Sequence, residues 1–221
     1  MSKVRLILEE PNEKQKLFLA DHHKHVGFGG ARGGGKSWAV RNKAIRLCLR
    51  YAGIKILIIR RTYPELVNNH INPLQVQLHG IAKYNKTEKV FKFPNGSTIK
   101  FGYCNSDSDL GQYQGAEYDV IFLDEATNLK EEWIKKITAC VRGVNDFPKR
   151  IYYTFNPGGV GHGYMKRLFI DRKIPQEQRD QIPVLVMGEQ LLAVYQIGTN
   201  RKFVPQENSR VLAISFQSQK Y

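Results

Sequence analysis

The 221 residues carry 34 lysines and arginines against 20 aspartates and glutamates, a formal net charge of +14, and 42% of them are hydrophobic. That content can bury a substantial core, which excludes a disordered tail, and a positive excess spread along the whole chain favours a polyanionic partner such as DNA or RNA. Cys48, Cys104 and Cys140 are odd in number and widely spaced, so neither a disulfide framework nor a zinc site is expected, and no stretch approaches the roughly 20 apolar residues of a membrane span.

Short apolar runs alternate with amphipathic stretches, the pattern of strands joined through helices, and this predicts an α/β sheet. The run "HVGF" reads as a strand ending in glycines. Beyond them Val40, Ala44, Leu47 and Tyr51 recur at helical spacing, with Arg41, Lys43, Arg46 and Arg50 pointing elsewhere. "KILIIRRT" reads as a second, buried strand, followed by a helix opened by Pro64. "VFKFPNGSTIKFGY" alternates apolar and polar residues around Asn95-Gly96, which predicts an inserted β-hairpin with that pair in the turn.

"DVIFLDEA" predicts a buried strand ending in two acids. Asn128 with Glu131 offers a capping box for a helix whose apolar face carries Trp133, Ile137 and Val141. "RIYYTFNP" is a fourth strand, followed by a glycine-rich turn and a helix around "YMKRLFIDRK". From about Gln176 the periodicity becomes vague, so the expected core spans 1–175 and residues 176–221 form a poorly defined tail, a lid or a linker. The histidines of "HHKH", His22 to His25, lack companions at ligand spacing and are expected to face solvent.

Chemistry concentrates in the glycine loop. Gly30, four residues, then Gly35, Lys36 and Ser37 match the phosphate-loop pattern. Without a Cβ, Gly30, Gly33, Gly34 and Gly35 let the loop curl and aim successive backbone N–H groups at phosphate oxygens. Lys36 adds a point charge, Ser37 offers a hydroxyl for Mg²⁺, and the following helix presents its positive end. Asp124, at the end of an apolar strand, can hold Mg²⁺. Glu125 projects to the other side of the strand end, where it can deprotonate the water that attacks the γ-phosphate of ATP. The pair predicts a P-loop NTPase of the additional-strand, catalytic-glutamate (RecA-like) type, with a mostly parallel central sheet and flanking helices. The amide of Asn156, with Thr154 beside it, could sense loss of the γ-phosphate. Gln15, in "PNEKQKLFL", carries an amide that can both donate to and accept from an adenine edge.

In order along the chain, "PNEKQ", "GGARGGGKSW", "ILIIRRTYPEL", "VIFLDEA" and "YYTFNPGG" resemble the ATPase domain of the large terminase subunit of tailed bacteriophages, the motor that pumps double-stranded DNA into an empty capsid. The resemblance covers roughly residues 10 to 172. It implies an Mg²⁺-dependent ATPase in which Gln15 senses adenine, Lys36 and Ser37 are the Walker A pair, Asp124 and Glu125 the Walker B pair, and Thr154 to Asn156 the coupling motif. Arg32 matches a loop arginine that many terminases carry, whose guanidinium could fork onto γ-phosphate oxygens as charge builds.

The implied partners are double-stranded DNA, the portal of the procapsid, the small terminase subunit and further copies of the chain in a ring, in the cytoplasm of the host cell and without a membrane. "GQYQGAEYDV" lacks the second, trans-acting arginine some terminases place there; Arg60, Arg61 and Arg142 are the candidate substitutes. After Gln176 the scattered Glu177, Asp180, Glu189 and Glu207 do not suggest the nuclease domain of large terminases, so nuclease activity is not expected. The competing readings are a helicase- or recombinase-like ATPase and a non-catalytic DNA-binding or docking module.

Overall fold

The computed structural model describes residues 9–30 and 33–169, and the backbone of three strands between 184 and 199. The chain divides into two compact units, residues 1–170 and 171–221. In the second, β8 (Val184–Met187), β9 (Gln190–Val194) and β10 (Gly198–Thr199) form an antiparallel sheet in the order β10-β9-β8. The rest of the segment read as a lid or linker, and Arg32 of the loop, lie outside the described residues.

The first unit is built on a seven-stranded sheet in the order β1-β7-β6-β2-β5-β4-β3. Its strands are β1 (His25–Gly29), β2 (Lys55–Arg60), β3 (Lys83–Asn85), β4 (Val90–Lys92), β5 (Thr98–Tyr103), β6 (Val120–Leu123) and β7 (Arg150–Phe155). β1, β7, β6, β2 and β5 run parallel, and β4 and β3 extend them antiparallel. The glycine loop follows β1 and the acidic pair follows β6, and β7 is the strand added between them. That order is the additional-strand arrangement expected from the motifs.

Both faces of the sheet are covered, which is why the central strands read as unbroken apolar runs. Ile56, Ile58, Val120, Phe122 and Tyr152 enter one core with α2 (Lys36–Arg50). Leu57, Ile59, Ile121, Leu123 and Tyr153 enter the other with α5 (Glu131–Thr138) and α6 (His162–Phe169). Alternation along each strand splits its residues between the two cores. α1 (Glu13–Ala20) lies against α2, and its Phe18 stacks on Phe28 of β1 at 5.0 Å.

One long helical segment follows β2 without a break: α3 (Tyr63–Leu66), a π-helical turn (Val67–Ile71) and α4 (Asn72–Gln77). Pro64 stands in its first turn, as expected.

Several sequence expectations are corrected. Lys43 does not face solvent: it is 2% exposed, and its ammonium donates to the carbonyls of Leu19 and Asp21 at 2.5 and 2.9 Å, capping α1 from outside. The hairpin forms, but Gly96 N–H donates to Phe93 at 3.0 Å, so Pro94 and Asn95 occupy the turn centre and Gly96, with φ 83°, takes the left-handed position beyond it. Its second strand, β5, also belongs to the parallel set, pairing with β2 from Thr98 to Tyr103. Asn128 does not cap α5, whose N-cap is Lys130. The four residues of "HHKH" are exposed as expected, and among the described residues no cluster of metal-ligating side chains occurs.

Candidate functional site

The glycine loop turns where a strand must become a helix within a few residues. Gly30, Gly33 and Gly35 have φ of 148°, 79° and 69°. Gly35 is constrained twice: it is the left-handed N-cap of α2, and a Cβ there would meet Gln15 Nε2 at 2.2 Å. With no side-chain cap on α2, the first N–H groups of that helix are left for an anion. Lys36 Nζ reaches back to the Gly30 carbonyl at 3.1 Å. Burial lowers the Lys36 pKa, against an opposing pull from Asp124 and Glu125.

Gln15 bridges α1 and the loop. Its Oε1 accepts from Asn12 N–H at 2.9 Å and its Nε2 donates to the Gly35 carbonyl at 3.1 Å, leaving one N–H and one lone pair for a ligand. A cleft of about 480 Å³ beside it is lined by Asn12, Lys14, Phe28, Gly30, Gly34 and Lys36.

Asp124 is the hub. It is 0% exposed, and four side chains from four segments converge on its carboxylate. Ser37 Oγ donates to Oδ2 at 2.9 Å, and His70 Nε2 lies 2.8 Å from the same oxygen. Arg60 Nε lies 3.3 Å from it, and Thr154 Oγ1 donates to Oδ1 at 2.5 Å. Burial alone would raise the Asp124 pKa, but the hydrogen bonds of His70 and Thr154 and the charge of Arg60 hold it below the ordinary carboxylate range. A buried carboxylate kept ionised by donors is a hard oxygen ligand.

Glu125 follows in the left-handed region, φ 57°, which swings its side chain away from Asp124. Its N–H donates to Thr154 Oγ1 at 3.0 Å, so one hydroxyl ties both acids to β7. The carboxylate is held at both oxygens, by Arg60 at 2.6 Å and by Asn128 Nδ2 at 3.0 Å. Together with Glu65, Asn69 and Asn156 these residues line a cleft of about 500 Å³. Asn156 Oδ1 is buried there without a hydrogen-bond partner, and the Asn156 carbonyl accepts from Thr127 Oγ1 at 3.2 Å.

Thus Lys36, Ser37, Asp124, Glu125, Thr154 and Asn156 meet at the carboxyl ends of three adjacent strands, β1, β7 and β6. Sequence reasoning missed His70 and misread Asn128. His70 follows Leu66 and precedes Leu74 at four-residue intervals, and both leucines are fully buried, so a polar residue on an apolar face was the available signal. Of the arginines weighed for a neighbouring site, Arg60 is 4% exposed and bound to the acids of its own chain. Arg61 contacts Asn105 at 3.1 Å, and Arg142 lies 3.9 Å from Glu117.

The donor set fits Mg²⁺ with a nucleotide. Ser37 spends its proton on Asp124, which leaves its oxygen lone pairs for a cation, and Mg²⁺ is ordinarily held by one or two protein oxygens plus substrate phosphates instead of a full protein cage.

The chain has solved structural relatives. The large terminase from a thermophilic bacteriophage superposes with a TM-score of 0.63 at 18% identity, covering 74% of this chain and 43% of that one. The N-terminal domain of the DNA packaging ATPase from bacteriophage phi29 gives 0.52 at 20% identity, covering 79% and 92%. A curated protein, tRNA(Ile)-lysidine synthase of Caldanaerobacter subterraneus subsp. tengcongensis, is 29% identical over 140 residues, 59% of this chain but 27% of that protein. The chain thus spans less than half of the thermophilic phage's terminase and about a quarter of the curated relative. The model of the phage terminase large subunit family matches residues 22–189, about three quarters of the sequence, and the chain belongs to that family.

Proposed function

We propose that this chain is the ATP-hydrolysing motor domain of a phage terminase large subunit, using Mg²⁺-ATP to drive double-stranded viral DNA into the procapsid. The observation that carries this reading is the bond from Ser37 Oγ to Asp124 at 2.9 Å with Glu125 directly beyond it, since it joins the first turn of the helix after the phosphate loop directly to the acidic pair.

In this reading the amides of Gly33, Gly34 and Gly35 and the ammonium of Lys36 take up phosphate charge, with Arg32 adding a guanidinium from the loop. Ser37 and Asp124 would hold Mg²⁺, which when bound neutralises charge on the β- and γ-phosphates. Glu125 accepts a proton from the water whose oxygen bonds to the γ-phosphorus as the bond to the β,γ-bridging oxygen breaks, giving ADP and phosphate. To do so its carboxylate must exchange its bonds to Arg60 and Asn128 for one to water. Asn156, with an unpartnered amide oxygen, and Thr154, touching both acids, would register the loss of the phosphate. Gln15 would read the adenine edge.

The net charge of +14 suits a grip on the DNA backbone that ignores sequence. Portal, small subunit and further copies of the chain complete the proposed machine in the host cytoplasm. The test is the ATPase rate with and without double-stranded DNA, for wild type and Glu125→Gln. Turnover should fall about 10²- to 10⁴-fold in the variant while ATP still binds; wild-type turnover in Glu125→Gln overturns the assignment of the base.

A further inference from the structure

We propose that His70 is a positioning residue of the metal site: it fixes the orientation of the Asp124 carboxylate toward Ser37, and so joins the helical segment Tyr63–Gln77 to that site. This rests on the functional reading above and adds a residue to it.

The argument starts from the freedom of the aspartate. Rotation about the last side-chain bond of Asp is broad and only loosely restrained from within, so a buried Asp124 points where its donors direct it. Of the four groups around the carboxylate, Ser37 and Thr154 are hydroxyls, which rotate to suit whatever lies near them, and Arg60 is an ion-pair partner whose Nε makes no hydrogen bond. Arg60 is rigid but divided, 3.3 Å from Asp124 and 2.6 Å from Glu125, and its hold shifts with any movement of the glutamate. His70 remains: a planar ring, fully buried, 2.8 Å from Asp124 Oδ2. Among the described residues it is the rigid donor that serves Asp124 alone.

Two observations argue against a ring kept there for packing. Nδ1 is buried without a hydrogen-bond partner, a cost that a leucine of similar volume would avoid. The ring is also delivered by the π-helical turn Val67–Ile71, and such turns, which break the regular helical ladder, are frequent at functional sites. Arg41 of α2 donates to the Asn69 carbonyl within that turn, so the phosphate-loop helix braces the backbone that carries the ring. With Nδ1 facing no acceptor, the proton belongs on Nε2, where it is donated to the carboxylate.

The test compares the affinity of a fluorescent ATP analogue in excess Mg²⁺ with that in EDTA, for wild type, for the donor-free His70→Leu and His70→Met, and for His70→Gln, whose amide nitrogen reaches the place of Nε2. Wild type should bind more tightly with Mg²⁺. The donor-free variants should lose about 10- to 100-fold of that Mg²⁺ advantage, with EDTA affinities within about twofold of wild type, and His70→Gln should recover most of it. A full Mg²⁺ advantage in His70→Leu or His70→Met, or equal losses in those two and His70→Gln, would overturn the proposal. Failure of the wild type itself to gain affinity from Mg²⁺ would instead overturn the functional reading on which it rests.

Discussion

Strand β6 is flanked by two buried aspartates, and only the carboxylate at its amino end has a backbone partner. Asp119, at its amino end, accepts the backbone N–H of Lys55 at 2.8 Å and the Asn145 amide at 2.7 Å, and pairs with Lys149 at 2.9 Å. Asp124, at its carboxyl end, is bound by side chains alone, from α2, β2, the π-helical turn and β7. A partner in the backbone cannot be exchanged without moving a strand, whereas hydroxyl, imidazole and guanidinium groups can turn. The first arrangement suits an acid that locks a loop, and the second suits one whose partners change when a ligand arrives. Burial alone does not separate them, since both are at most 1% exposed.

That contrast breaks most sharply when each acid is removed. Asp124→Asn keeps nearly the same shape, and Arg60 retains Glu125, so the protein should stay folded while Mg²⁺-dependent ATP turnover falls about 10²- to 10³-fold. A turnover assay paired with a thermal melt checks both halves. Asp119→Ala should do the reverse. It strips a partner from Lys149 and orphans the Lys55 N–H, at a cost of about 3–5 kcal/mol, or a melting temperature lower by roughly 6–20 °C, while turnover per folded molecule is kept. Loss of turnover in Asp119→Ala under conditions where it is folded would erase the distinction.

The same division explains what could be read in the sequence. The glycine loop was legible because positive φ, close approach and local charge leave their mark on consecutive residues. Asp124 and Glu125 were legible because an apolar run stops abruptly at two acids. Strand alternation and helical spacing likewise foretold the layered sheet. What stayed hidden depends on partners far along the chain. Lys43 sits at a position that local periodicity places off the apolar face, yet the end of α1 arrives there with the carbonyls of Leu19 and Asp21 and no basic residue of its own in its last turn. Asn128 has the spacing of a cap, but the chain enters α5 later, and the amide turns to Glu125. His70 lacks a motif; its meaning comes from Asp124, 54 positions away.

A smaller effect sharpens the amino-terminal half of the comparison. A Cβ on Gly143 would meet Asp119 Oδ1 at 2.0 Å and its Cγ at 2.8 Å, so the loop after α5 passes too close to the acid for any side chain. Gly143→Ala must displace either that loop or the carboxylate held by Lys55 and Asn145. The expected cost is about 1–3 kcal/mol, read from denaturant unfolding. An alanine there without measurable cost would mean that the Asp119 network can shift, which removes the rigidity assigned to it.

The smallest effect is a change of slope. The Asp124 carboxyl titrates lower in the folded protein than its ordinary value of 3.8, because His70, Thr154 and Arg60 favour the charged form more than burial opposes it. A depressed carboxylate pKa contributes stability that is present above the unfolded value and is lost as pH falls through the folded one, since the unfolded chain takes up the proton first. From about pH 4 downward, part of the acid destabilisation of the wild type should therefore belong to this residue. Asp124→Asn is made in a His70→Gln background, so that the imidazole, whose own pKa burial lowers and Asp124 raises, cannot titrate either. That double variant should unfold with a shallower dependence on pH below that point than His70→Gln itself. Parallel acid limbs for the two proteins would show that the convergent donors do not favour the ionised form, and with that the carboxyl end of β6 would lose the property that sets it apart from the other.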